Sequence, residues 1–264
     1  MVGSPSFHRP VTPCLILPRD ADSSLSGALI RSALTETEQY QLYSALCTAT
    51  EGSTEWHLLS RSCGTHGSYL PAEPGDRPVP LCVWRHPYTG DSNMLREPSR
   101  IFQWAHELAE ETRQTIVAHD QHPDAVACAS LCDELCSLRD LRLDSLVSLL
   151  YRSAGALRPH VDDNLPGLGL SMSLGASCTF IYGGTEVVLH SGDALWGRFG
   201  IVAHQVKRVH APHTAPDWWE ALQWNGNGSV SSAPSHFGRV RCNLQLRRGR
   251  DEAARAARRK KDGR

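Results

Sequence analysis

Between Leu143 and Arg247 every apolar stretch is short and closed by turn residues. Leu143 to Tyr151 reads as one strand-like run that leads into a turn. Ser171 to Gly175 and Thr179 to Gly184 form a second pair, and His190-Ser191-Gly192-Asp193 punctuates before Ala194-Leu195-Trp196. Runs of this length and spacing predict the strands of a two-sheet antiparallel barrel. The expected class is mainly β with flanking helices (α+β). No stretch reaches the roughly eighteen apolar residues a bilayer-spanning helix requires, and 264 residues suffice for one well-buried core with appendages.

The expected organisation has four parts. Residues 1–28, rich in Pro and Ser, read as a flexible lead-in. Residues 29–142 supply helices, strands and a lid region packed on the core, residues 143–247 form the core with an inserted loop at about 211–237, and residues 248–264 are a basic tail. Thr35-Glu36-Thr37-Glu38 followed by Tyr40, Leu42, Tyr43, Leu46 and Cys47 predicts a helix start with an apolar stripe. Trp56 to Leu59 and Leu81 to Trp84 predict strands, and the Gly- and Pro-bearing segment from Ser62 to Pro80 is a candidate lid. Pro98 to Val117 and about Asp124 to Leu138 predict helices outside the barrel. Trp218 and Trp219 suit packing at the barrel end, with stacking on a nucleobase as the alternative.

Nine cysteines at scattered spacings argue for reduced thiols rather than a disulfide framework. Cys128, Cys132 and Cys136 fall on one helix face beside Ala127 and Leu131, where small apolar side chains need no metal. Met1 to Asp20 lacks the continuous apolar core of a secretory signal, so the expectation is a soluble, intracellular protein without a membrane partner. Nucleus or cytoplasm is expected; Met1 to Arg19, which has no acidic residue, leaves mitochondrial import open. From Arg247 onward nine Lys or Arg face three acidic residues, although the whole chain carries a net charge of -1. That tail can serve as a solvated extension, a nucleic-acid arm or a nuclear-import patch.

His160-Val161-Asp162, with His204 forty-two residues after the aspartate, carries the chemistry. Two imidazoles and one carboxylate on one face of a metal leave positions open, the arrangement of non-haem Fe(II) oxygenases. A downstream arginine, with its planar fork of donors and permanent charge, suits the free carboxylate of 2-oxoglutarate. The run Arg241-Cys242-Asn243-Leu244-Gln245-Leu246-Arg247 offers two such arginines.

Taken together, the run from Leu143 to Arg152, the His-x-Asp, Ser173-Leu174-Gly175, Phe180 with Gly183-Gly184, His190-Ser191-Gly192-Asp193 and the Arg-x-Asn-x-x-x-Arg ending resemble the AlkB family of Fe(II)- and 2-oxoglutarate-dependent dioxygenases. The resemblance covers about two fifths of the chain. It is closest to the branch of mammalian AlkB homologue one through His190 to Asp193, His204 to Val209 and the long excursion before the arginines. The resemblance implies a double-stranded β-helix (jelly-roll) core. It also implies His160, Asp162 and His204 as iron ligands, and Arg241 with Tyr151 on the distal carboxylate of 2-oxoglutarate. Asn243 and Arg247 would lie near its keto-carboxylate end, and O2 is the second cosubstrate. Leu149 stands where the family often has asparagine, removing one neutral donor. Asn164 stands where repair members often carry a carboxylate facing the base, so it is the expected substrate contact. The implied activity is oxidative removal of methyl or alkyl groups from bases in DNA or RNA. The alternatives are a hydroxylase or demethylase of a protein side chain or small molecule, and a non-catalytic nucleic-acid-binding relic.

Overall fold

Polar and apolar residues alternate from Arg241 to Arg247, and a strand sends alternate side chains to opposite faces of its sheet. One strand therefore faces two environments at once. The computed structural model describes residues 14–17, 27–50, 57–59, 81–85, 107–114, 145–162, 168–219 and 240–247. In chain order these contain β1 (Cys14–Leu17), β2 (Gly27–Ile30), α1 (Glu36–Thr50), β3 (His57–Leu59) and β4 (Leu81–Arg85). A helical segment at 107–114 follows. Then come β5 (Ser145–Tyr151), β6 (Leu157–His160), β7 (Gly169–Gly175), β8 (Cys178–Tyr182), β9 (Thr185–Leu189), β10 (Ala194–Gly197), β11 (His204–Val209) and β12 (Arg241–Arg247).

Eight strands form a major sheet in the order β1-β2-β10-β7-β12-β5-β4-β3, and four form a minor sheet in the order β6-β11-β8-β9. Neighbours pair antiparallel throughout. From β5 to β12 the chain passes back and forth between the sheets, staying within one only at the β8–β9 hairpin. That winding is a double-stranded β-helix. The hairpin turns on Gly183 and Gly184, at φ 55° and 86°, the left-handed values that a two-residue loop with the right strand twist demands.

The outward row of β12 (Cys242, Leu244, Leu246) joins Met172 and Trp196 in a core on the outer face of the major sheet. α1 covers that face with Leu42, Tyr43 and Leu46, and the segment at 107–114 adds Leu108 and Ala109. Thr35 and Glu38 cap α1 reciprocally: the Glu38 N–H donates to Thr35 Oγ1 (3.3 Å) and the Thr35 N–H donates to Glu38 Oε2 (2.7 Å). The cap is worth about 1 kcal/mol, whereas each large buried apolar side chain contributes about 1.5–3 kcal/mol, so packing is what holds α1. Trp219 is buried and stacks on Tyr43 with ring centroids 4.1 Å apart, as expected of a packing residue. A second core, with Leu29, Phe180, Leu189, Leu195 and Val206, fills the space between the sheets.

Order begins earlier than the sequence suggests. Within 1–28, expected to be flexible, β1 and the start of β2 are strands, and β2 pairs with β10 deep in the major sheet. Four apolar residues after Leu25-Ser26 are too short a run to stand out against their Ser-rich surroundings. β3 and β4 extend the same sheet beyond β5. The helix expected over Pro98–Val117 is present at 107–114, and the inserted loop begins with a 3-10 turn at Pro212–Thr214. The candidate lid, the helix over Asp124–Leu138 with its cysteines, most of the inserted loop and the basic tail lie outside the described residues.

Candidate metal centre

His160 closes β6 and His204 opens β11, and the two face each other directly across that antiparallel pair. Their ring centroids lie 4.3 Å apart. Asp162 follows two residues after β6, where its N–H donates to the Phe199 carbonyl (2.8 Å) in the turn between β10 and β11. One ligand atom from each of His160, Asp162 and His204 falls within 4.8 Å of the others. Asp162 Oδ1 lies 3.6 Å from His160 Nε2 and 3.8 Å from His204 Nε2.

Backbone carbonyls orient both histidines. His160 Nδ1 lies 2.8 Å from the Arg158 carbonyl, and His204 Nδ1 lies 3.0 Å from the Val202 carbonyl. A carbonyl only accepts, so each Nδ1 carries a proton and each Nε2 is turned toward Asp162, as outer contacts orient metal-binding imidazoles. Burial pulls the His204 pKa down to about 4, against the opposing pull of Asp162. Its Nε2 is buried with no hydrogen-bond partner. Two imidazole nitrogens and a carboxylate oxygen, converging with one lone pair unused, fit a divalent metal of the nitrogen- and oxygen-preferring kind.

Asp162 divides its oxygens. Oδ2 pairs with Arg247 NH2 at 2.5 Å, which leaves Oδ1 for the histidines. Arg247 also donates to Gln245 Oε1 (2.6 Å), and its guanidinium carbon lies 4.5 Å above the centre of the Phe199 ring. Burial lowers its pKa while Asp162 works the other way.

Deeper in the barrel the inward row of β12 meets β5 and β7 in register, with Arg241 opposite Tyr151 and Gly175, and Asn243 opposite Leu149 and Ser173. Arg241 is 1% exposed and donates to the Ala176 carbonyl and to Ser173 Oγ, each at 2.8 Å. Its Nε and the Tyr151 hydroxyl are buried without hydrogen-bond partners. Burial drives the Tyr151 pKa upward, with Arg241 pulling the other way, so the phenol stays a donor. A buried cation held only by neutral acceptors is costly. Among the described residues no carboxylate pairs with Arg241, so the pocket suits an anion brought by a ligand. Asn243 is buried and its Oδ1 accepts from Ser171 Oγ (2.8 Å), placing it in the wall between the two arginines.

The structure thus brings His160, Asp162, His204 and Arg247 together, and places Tyr151, Arg241 and Asn243 along the adjoining wall. Asn164 lies outside the described residues. Phe199, the contact of Ser173 with Arg241, and the carbonyls of Arg158 and Val202 escaped the sequence reading. Carbonyls have no sequence signature, and an aromatic in the turn Gly197-Arg198-Phe199-Gly200 looks like any other buried ring.

No family model matches the chain. Over 222 residues it is 25% identical to an Acanthamoeba polyphaga mimivirus protein named "Probable lanosterol 14-alpha demethylase", a match covering 84% of this chain and 26% of that protein. The chain therefore spans about a quarter of the length of that relative. The solved structure of OsALKBH1 superposes with a TM-score of 0.55 at 18% identity, covering 84% of this chain and 97% of the other. A Pseudomonas putida prolyl-4-hydroxylase superposes with a TM-score of 0.42 at 12% identity, over 87% of this chain and 95% of the other. The similarity to OsALKBH1 shows the fold, a double-stranded β-helix. No helix among the described residues is long and apolar enough to cross a membrane.

Proposed function

We propose that the chain is an Fe(II)- and 2-oxoglutarate-dependent dioxygenase that removes methyl or alkyl groups from nucleobases in DNA or RNA. The observation that carries this reading is the convergence of His160, Asp162 and His204 beside a buried arginine with no anionic partner among the described residues. The three side chains would hold the iron through Nε2, Oδ1 and Nε2. Arg241 and Tyr151 would hold the distal carboxylate of 2-oxoglutarate, with Asn243 and Arg247 toward its other end. When bound, iron with 2-oxoglutarate and O2 supplies the oxidant that converts an N-methyl to an N-hydroxymethyl group, which departs as formaldehyde.

The protein's own contribution is positional. Carbonyl contacts hold both imidazoles in one tautomer, Arg247 keeps Asp162 turned with one oxygen free, and the apolar interior excludes water from the cosubstrate end. A base must leave its stack to reach such a site, which costs a few kcal/mol in a duplex and less in a single strand. Asn164, which can both donate and accept, is the proposed contact to that base. The nucleus and the cytoplasm are the proposed compartments.

A second reading keeps the chemistry and changes the substrate to a small molecule or a protein side chain. Val161, 38% exposed between the two ligands His160 and Asp162, and Ile201, 59% exposed three residues before His204, would favour an apolar partner. One experiment separates the two. Purified protein is incubated with Fe(II), ascorbate and 2-oxoglutarate against methylated DNA, RNA, peptides and small apolar compounds, scoring succinate, formaldehyde and substrate mass. Formaldehyde from oligonucleotides supports the first reading. Substrate-coupled succinate with peptides or small molecules alone replaces it with the second. Removing Arg248 to Arg264 should spare turnover on a short oligonucleotide if the tail only adds affinity.

A further inference from the structure

We infer that Phe199 is a positioning residue of the metal centre, fixing Asp162, His204 and Arg247 at once so that Asp162 keeps Oδ1 toward the histidines. This role rests on the metal reading above.

The carbonyl and the ring of one residue touch three members of the set. The Phe199 carbonyl accepts the Asp162 N–H at 2.8 Å and so sets where that backbone sits. Its ring meets the His204 imidazole edge to face, with centroids 5.0 Å apart and planes at 70°. The Arg247 guanidinium lies over the same ring at 4.5 Å, well inside the range of a cation–π contact, and such contacts strengthen when both partners are shielded from water. Phe199 is 2% exposed and Arg247 is 4% exposed, so this one is shielded.

The ring cannot drift. Tyr182 meets it edge on at 5.8 Å, and the Tyr182 hydroxyl is fixed by the Arg198 N–H at 2.8 Å. Tyr182 crosses from the minor sheet into a slot bounded by Gly27 and Gly197, where an added Cβ would stand 3.0 Å and 2.8 Å from its ring. Only glycines leave that slot open. A Cβ at Gly169 would likewise crowd the Phe199 ring and Arg247 NH1, both at 3.3 Å.

Volume alone does not account for the arrangement. A leucine would fill the space, yet it offers no π face to the guanidinium and no edge-to-face contact to the imidazole. Arg247 would then be held by Gln245 and Asp162 alone. The carboxylate could rotate with it, and the preset split between Oδ1 and Oδ2 would be lost. Phe180 is the internal control: it is 4% exposed and lies 6.2 Å from the same His204 ring. It lies on β8, away from the turn whose carbonyl holds Asp162, and no contact between it and Arg247 is seen.

The test titrates Co(II), a spectroscopic stand-in for Fe(II), into the full-length metal-free protein without cosubstrate. Affinity is read by calorimetry, geometry by visible d–d absorption and folding by thermal melting. Phe199→Leu should weaken Co(II) binding about tenfold or more, the scale seen when an outer partner of a metal ligand is lost, and should alter the visible spectrum. Phe180→Leu should leave both unchanged. In an Arg247→Met background, Phe199→Leu should weaken binding less, because one of the two ring contacts through which it acts is already gone. If Phe199→Leu does not fold, Phe199→Met, a more adaptable side chain, makes the same comparison. Wild-type affinity and spectrum in the folded Phe199 variant overturn the role, as does an equal loss in Phe180→Leu or full additivity with Arg247→Met. Failure of the wild-type protein itself to bind Co(II) overturns the metal reading instead.

Discussion

At the scale of single residues the centre depends on groups with one duty each. His160, His204 and Asp162 Oδ1 converge, and no other described residue offers a replacement donor at that point. His160→Ala, Asp162→Ala or His204→Ala should each abolish metal-dependent turnover while leaving the melting profile of a folded protein; full turnover in any of them removes that residue from the centre. Arg241→Ala should act differently, raising the 2-oxoglutarate concentration needed for half-maximal rate, because its guanidinium is buried among neutral acceptors. An unchanged cosubstrate requirement would exclude Arg241 from that role.

His204 also predicts a pH dependence of stability. Burial takes its folded pKa to about 4, against about 6.5 in an unfolded chain. Between those values the unfolded chain binds the proton and the folded one does not. Stability from this group is therefore intact above about pH 6.5 and falls as pH drops toward 4, by roughly 3 kcal/mol in total. Urea unfolding of metal-free protein at pH 7 and pH 5 should show the loss, and His204→Asn should remove much of it. An equal loss in the variant would assign the effect elsewhere.

At the scale of elements, the turn His190-Ser191-Gly192-Asp193 acts as a clasp between α1 and the barrel. Asp193 is 2% exposed and accepts from Arg31 (2.7 Å), the Ser32 N–H (3.0 Å) and the His190 N–H (2.8 Å). Ser191 donates to Gln39 on α1 (2.6 Å) and accepts the Gly175 N–H (3.0 Å). Asp193→Ala strands three donors and should cost about 3 kcal/mol in chemical denaturation. Thr35→Ala removes only the cap of α1 and should cost about 1 kcal/mol, with turnover unchanged. The sequence marks this turn as punctuation before a strand, which it is. Its clasp function was not legible, because the partners Arg31, Ser32 and Gln39 lie more than 150 residues away.

For the whole molecule, the short turn-bounded runs were enough to announce antiparallel strands, and the His-x-Asp with a later His announced the metal chemistry. The order of those strands was not legible. Nothing local tells β12 to pair with both β5 and β7, or β2 to pair with β10; closure of two cores decides that. Phe199 was illegible for the same reason, since its meaning lies in what three distant segments bring to it.

β6 is four residues long and lies at the end of the minor sheet, with β11 as its sole described neighbour, yet it carries His160 and leads directly to Asp162. A bound metal would sew this edge seam shut, since it ties β6 to His204 on β11. Amide hydrogen exchange at 157–160 should therefore slow on Co(II) binding far more than exchange in β12, and equal slowing in both would refute the idea. The segment that carries two of the three ligands is the one the ion would fasten to its neighbour, so metal occupancy and the integrity of that sheet edge would rise and fall together.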